Sequence, residues 1–210
     1  MIPVNKVLDL ADFADPEFRA VLREIFPHEL DRFGPDWPAG KEYRKDWEVG
    51  MAVLAFRRAG VLRPTADILG VGAGSEPTTF YLTNHVRSVH ATDLYLNQTW
   101  AESANLNMFL DPGRYWPRPW NPRRLVVQHM NGLDLRYEDE TFDGVFSSGS
   151  IEHFGEYPQI QQAAREMARV LRPGGILSVS TEYRLGGPPP GKERLGSSAG
   201  RAVRVRLHLR

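Results

Sequence analysis

Between residues 65 and 185, short apolar runs alternate with helix-like stretches, and this alternation restricts the fold more than any other feature of the chain. Ala66 to Val71, Val86 to Thr92, Leu125 to His129, Phe142 to Phe146 and Ile176 to Ser180 read as strands. Helices are expected over Pro77 to Asn84, Asn97 to Leu110 and Pro158 to Arg172. In the last of these, Ile160, Ala164, Met167 and Leu171 form one stripe that Pro173-Gly174-Gly175 stops. Asp111 to Arg124 reads as loop, broken by Pro112, Pro117, Pro119 and Pro122. Strands joined through crossover helices must lie parallel and be covered on both faces. The expected fold is therefore α/β, with a doubly wound, mostly parallel sheet.

The flanks differ in texture. Residues 1–64 read as a helical N-terminal cap. Asp15 caps a helix with Pro16 at its first position, Phe18, Val21, Leu22 and Ile25 recur at helical spacing, and Pro27 is expected to end it. After the turn-rich stretch Phe33 to Gly40, a second helix carries Trp47, Met51, Leu54 and Ala55 on one face and stops near Gly60. Residues 186–210 form a Gly/Pro/Arg-rich tail. Its last residues alternate apolar Val203, Val205, Leu207 and Leu209 with polar ones, so it reads either as an edge strand or as a tail outside the fold.

Net charge is zero, but the tail holds six Lys/Arg and one acid, leaving 20 basic and 25 acidic residues in 1–185. A body of that sign is not built to neutralise phosphates, so nucleic acid is not an expected partner. No apolar run is long enough to span a membrane, and the first residues lack a secretory pattern. Cysteine is absent, which excludes disulfides and thiolate metal sites and fits a cytoplasmic protein. No metal site is expected.

Chemistry is expected where Ile68-Leu69-Gly70-Val71-Gly72-Ala73-Gly74-Ser75-Glu76 closes the first strand and opens a helix. Glycines there let the backbone turn sharply and approach a ligand. A dinucleotide-binding loop would read G-x-G-x-x-G, yet Ser75 stands where the third glycine belongs. Twenty-one residues beyond Gly72, Asp93 follows the second strand in Ala91-Thr92-Asp93-Leu94.

The loop with Asp93 resembles the (D/E)-x-G-x-G-x-G pattern of class I, Rossmann-like S-adenosylmethionine-dependent methyltransferases, in particular the type 11 methyltransferase domain. Asn131 to Val145 is similar to D-x-x-x-L-P-F-x-D-x-x-F-D-x-V, and Val170 to Leu177 to L-(K/R)-P-G-G-x-L, in the same order as in that family. The resemblance covers about 66–183. It implies that Gly70, Gly72, Ala73 and Gly74 wrap S-adenosylmethionine. Asp93 takes the ribose hydroxyls, Leu94 lies against the adenine, Asn131 and Gly132 border it, and Ser147 and Ser148 touch the cofactor near its methyl group. Two departures stand out. Gly70 replaces the acid that helps fix the methionine end, and Glu76 replaces the third glycine. Glu76 is then either a substitute carboxylate or a helix-start acid. The family's sheet has seven strands, so this chain's C-terminal strands read as incomplete.

Past the fourth strand, Glu152-His153 is the acid–histidine pair of this neighbourhood. His153 is either a base that removes a proton from a hydroxyl acceptor or a helix-start histidine bonded to backbone. Trp37, Tyr43 and Trp47 are candidates for acceptor contact, Trp47 also for core packing. The loop Tyr115-Trp116-Pro117-Arg118-Pro119-Trp120 could hold a sugar or an aromatic acceptor. The resemblance implies methyl transfer to a small-molecule or glycan acceptor, on oxygen. The alternatives are a catalytically inactive cofactor-binding remnant and, disfavoured by the missing third glycine, a nicotinamide-dependent oxidoreductase.

Overall fold

Helix starts along the chain follow its Asp-Pro and Pro signals. In the computed structural model, which describes residues 1–97, 99, 102 and 104–182, Asp15 accepts from the Phe18 amide at 3.0 Å and opens α1 (Pro16–Ile25). Its buried face is Phe18, Val21, Leu22 and Ile25, the spacing read from the sequence. Pro27 ends α1 as the sequence predicts, Ile25 being the last helical residue. It also opens α2 (Pro27–Phe33), since a proline lacking its N–H is tolerated in a first turn. α3 (Arg44–Arg58) is buried from Trp47 to Leu54, sandwiched between α1 and the sheet.

Five strands form one sheet in the order β3-β2-β1-β4-β5, every pairing parallel. The strands are β1 (Asp67–Val71), β2 (Ser88–Asp93), β3 (Leu125–His129), β4 (Phe142–Ser148) and β5 (Leu171–Ser180). β1 and β4 are buried at every position, as expected of central strands covered on both faces, whereas β3 is an edge and leaves Val126 38% exposed. α4 (Pro77–Leu82) and α6 (Tyr157–Val170) are the crossovers after β1 and β4. The last crossover is tighter than the sequence suggests. Leu171 already pairs with Phe142, and pairing resumes at Gly144 with Ile176, so Arg172 to Gly175 bulge out of the ladder.

The helix expected over Asn97 to Leu110 shrinks to α5 (Asn107–Leu110). Asparagine side chains compete for the backbone: Asn97 Oδ1 accepts from the Thr99 amide at 3.0 Å and Asn105 Oδ1 from Asn107 at 2.9 Å. The tail, residues 186–210, lies outside the described residues, and with it the question of an edge strand. Among the described residues, no helix is long and apolar enough to cross a membrane.

One core joins the front helices to the sheet. Phe18, Leu22 and Ile25 of α1 and Leu54 and Phe56 of α3 belong to the same buried cluster as Ile68, Phe80 and Phe146. Leu69, Val145, Ala163, Met167 and Val170 fill the space under α6.

The N-terminal end of the sheet is held by charge. Asp143 accepts from Arg63 at 2.6 Å, Arg172 at 2.7 Å and the buried Asp67 amide at 2.9 Å. Asp67 in turn pairs with Arg87 and accepts from Ser88 Oγ at 2.8 Å. Asp143 is thus the knot between β1, β4 and the bulge. Asp143→Ala strands two guanidiniums and an amide, and should lower the unfolding free energy in urea by about 3 kcal/mol.

Candidate active site

At the carboxyl ends of β1, β2 and β4, where the strand order reverses, the chain encloses a cavity of about 700 Å³. This is where ligands bind in open parallel sheets. Its first wall is the turn after β1. Gly72 and Gly74 have φ of +64° and +48°, the left-handed region, and a Cβ on Gly72 would sit 2.7 Å from the Ser150 Cβ. The turn is tied on three sides. Asp93 Oδ2 accepts from the Gly74 amide at 2.8 Å, the Tyr95 hydroxyl donates to the Gly74 carbonyl at 2.8 Å, and the Ser150 hydroxyl donates to the Gly72 carbonyl at 2.7 Å.

The second Asp93 oxygen accepts from the Leu94 amide at 2.6 Å. Each carboxylate oxygen keeps a lone pair for a further donor in the cavity. Burial pushes the Asp93 carboxyl above its usual range, the two amide bonds opposing it. Across the cavity, a Cβ on Gly132 would lie 2.8 Å from the Phe154 ring and 3.0 Å from Val71, so backbone and ring meet with no room between them.

Ten of the twelve residues singled out from the sequence line this one cavity. Gly72, Ala73, Gly74, Asp93 and Leu94 form one side, and Asn131, Gly132, Ser148, Glu152 and His153 another. Gly70 and Ser147 do not line it. Gly70 is buried inside β1 beneath the Phe146 ring, and Ser147 is fully buried in β4. Asn131 sits exposed at the rim, with its Oδ1 accepting from the Leu133 amide at 3.0 Å. His153 is exposed, and Glu152 accepts from the Thr181 hydroxyl at 3.0 Å.

The aromatic residues divide differently from expectation. Tyr43 reaches the cavity, but Trp37 and Trp47 do not. Trp37, 2% exposed, packs edge-on against Phe26, and the Trp47 indole N–H donates to the buried Asp12 carboxylate at 2.9 Å. The proline-rich loop also turns inward. Trp116 stacks on Phe80 and Trp120 meets the same ring edge-on, so these indoles seal the core under α4 instead of facing an acceptor. Apolar area is worth more buried than displayed, and Phe80 offers a matching face.

A charged wall from α3 carries no signal in the sequence beyond three consecutive charges, Arg44-Lys45-Asp46, which suit a solvated helix start. The fold turns them inward. Lys45 Nζ lies 2.8 Å from Glu48 Oε2, 3.5 Å from Glu76 Oε1 and 3.1 Å from the Ser148 carbonyl. Arg44 bridges Glu48 and Glu182, both at 2.8 Å. Burial pushes Glu76 up to about 7, although Lys45 pulls against it.

A family described as "Methyltransferase domain" matches residues 69–179, more than half of the chain. The chain belongs to this family. The match begins in β1 and ends in β5, so it contains the loop, Asp93 and the whole second side of the cavity. The chain is 29% identical over 143 residues to the 27-O-demethylrifamycin SV methyltransferase of Amycolatopsis mediterranei, covering 67% of this chain and 47% of that one. It is 43% identical over 57 residues to the probable tRNA methyltransferase 9B of Mus musculus, covering 27% and 13%. The chain thus spans less than half the length of either curated relative. An S-adenosylmethionine-dependent methyltransferase from Clostridium acetobutylicum superposes with a TM-score of 0.50 at 15% identity, over 75% of this chain and 56% of that one, which shows the shared Rossmann-like fold. The family's chemistry is S-adenosylmethionine-dependent methylation, and the cavity suits a nucleoside: a buried carboxylate with free lone pairs faces it beside two glycines that leave their surface bare.

Asp46 offers a test of the charged wall. Among the described residues no cation pairs with its carboxylate, and burial, with Glu29 nearby, pushes it up to about 6. The folded protein therefore holds this proton more tightly than the unfolded chain. Stability is lost as pH rises from 3.8 to about 6 and stays lost above. Asp46→Asn should melt higher than wild type at pH 7.5, by about 1 kcal/mol after solvent screening, and the two should converge near pH 4 in thermal scans.

Proposed function

We propose that this chain methylates a hydroxyl oxygen of a small-molecule or glycan acceptor. Asp93 would hold the ribose of S-adenosylmethionine, Leu94 and Gly132 would border the adenine, and His153 would act as the base. The observation that carries this reading is the lining of the cavity: the glycine turn and Asp93 share one cleft with Glu152-His153 and the first turn of α3. The cofactor supplies an electrophilic methyl group on a sulfonium sulfur. What the chain contributes is position and proton handling. An acceptor hydroxyl between Tyr43 and His153 would attack with its oxygen lone pair while the imidazole takes the hydroxyl proton. Glu152, which accepts from the Thr181 hydroxyl, is the neighbouring residue on the same wall.

A small acceptor is supported by the net negative charge of residues 1–185 and by a relative whose name gives 27-O-demethylrifamycin SV as substrate. The similarity to a probable tRNA methyltransferase covers about a quarter of the chain.

Calorimetry with S-adenosylhomocysteine should give binding that Asp93→Ala weakens at least 30-fold, with no response to NAD. Persistence of full affinity in that variant sinks the assignment. Donor carrying a labelled methyl group, incubated with hydroxyl-bearing metabolites and glycans and with tRNA, should label the small acceptors. Label in the RNA overturns the acceptor class. His153→Ala should cut turnover about 100-fold without changing cofactor affinity.

A further inference from the structure

Two departures of the glycine turn from the family pattern have a common cause in packing. The residue that the pattern makes acidic is Gly70, and it cannot carry a side chain. A Cβ there would lie 2.5 Å from the Phe146 ring and 2.8 Å from the Ala73 Cβ. The ring of β4 fills the volume that a carboxylate on β1 would need. Six residues on, Glu76 supplies a carboxylate from the far end of the same turn. Its side chain is only 15% exposed, it lines the cavity, and among the described residues no donor makes a hydrogen bond to its Oε2. It occupies the N-cap position of α4, but its side chain makes no capping hydrogen bond to that helix and is free to face the cavity. A buried carboxylate oxygen left without a donor is costly, so its retention calls for a partner that is not part of the chain.

The neighbouring cation gives Glu76 only the longest of its three contacts. Lys45 reaches Glu76 only at 3.5 Å and lies against Gly149, where a Cβ would come within 2.8 Å of its Nζ. Glu48 pairs with Arg44 and Lys45, both at 2.8 Å. A loose acid–base pair beside a nucleoside-type wall is the complement of a zwitterion. We propose that Glu76 and Lys45 hold the amino-acid end of the cofactor, Glu76 accepting from its ammonium and Lys45 donating to its carboxylate. On binding, the 3.5 Å pair exchanges one weak internal contact for two charge-assisted ones. The anchor has moved along the turn from position 70 to position 76 and recruited a helix outside the sheet.

This inference rests on the cofactor assignment above, and two ligands separate the two. S-adenosylhomocysteine carries the amino-acid end, and 5′-methylthioadenosine has the same nucleoside thioether without it. In calorimetry on the full chain, Glu76→Gln should weaken S-adenosylhomocysteine about 30-fold and Lys45→Met about 10-fold, with methylthioadenosine unchanged within twofold. Asp93→Ala should weaken both ligands.

A measurement on the unmodified protein guards against misfolded variants. The groups facing Glu76 are Lys45 and Glu48 of α3, Ser148 of β4 and Tyr95 beyond β2. Groups at the nucleoside end act on both ligands and cancel in the ratio of their affinities. That ratio should rise about tenfold in favour of S-adenosylhomocysteine from pH 6 to pH 8 as Glu76 ionises, and the rise should vanish in Glu76→Gln. Equal losses for both ligands in Glu76→Gln, or a ratio flat with pH in the wild type, overturn the anchor and leave the cofactor assignment standing. Binding of neither ligand by the wild type sinks both.

Discussion

The carboxylate of Asp93 accepts the amide hydrogens of Gly74 and Leu94, and through these two bonds the end of β2 fixes the turn that leaves β1. A turn with two left-handed glycines has many conformations available, and ordering it costs backbone entropy. Asp93 offsets that cost, helped by Tyr95 and Ser150 at the neighbouring carbonyls. The same carboxylate faces the cavity, so the group that shapes the wall is also the one offered to a ligand. Burial pushes its carboxyl up, and the two amides it holds oppose that rise.

The two ends of the sheet treat charge in opposite ways. At the amino end, Asp67 and Asp143 are surrounded by Arg63, Arg87 and Arg172, and Asp67 is held below the usual carboxylate range by Arg87 and Ser88 against its burial. At the carboxyl end, Asp46 and Glu76 are pushed up and Asp93 with them. Paired carboxylates fasten strands together. Underpaired ones cost stability and mark where the chain has interactions in reserve.

Much of this was legible in the sequence because it follows local rules. Strand alternation announced the parallel sheet, and β3 spans the same residues in the sequence and in the structure. Asp15-Pro16 announced α1, and the motif spacing brought Gly72, Asp93, Asn131 and His153 to one cavity. What escaped depended on contacts between distant segments. That Trp116 would choose Phe80 over solvent is decided by an indole and a ring thirty-six residues apart. The inward turn of Lys45 and Asp46 depends on how α3 docks, and a run of charges carries no sign of its docking. The shortened α5 was a local matter misjudged: asparagine at 97 and 105 offers the backbone a competing bond that apolar spacing does not register.

Because α1 and α3 share their core with β1 and β4, the wall opposite the glycine turn is not a separate leaf that can be exchanged or swung as a unit. Residues from Trp47 inward answer to the packing of Phe18 and Leu22 and have little freedom to vary. Freedom to vary is then confined to the few side chains of the segment leading into α3, Tyr43 first among them. A lineage built on this scaffold would vary there and keep the helix, Lys45 included, nearly constant, much as a lock is rekeyed by changing pins in an unaltered barrel.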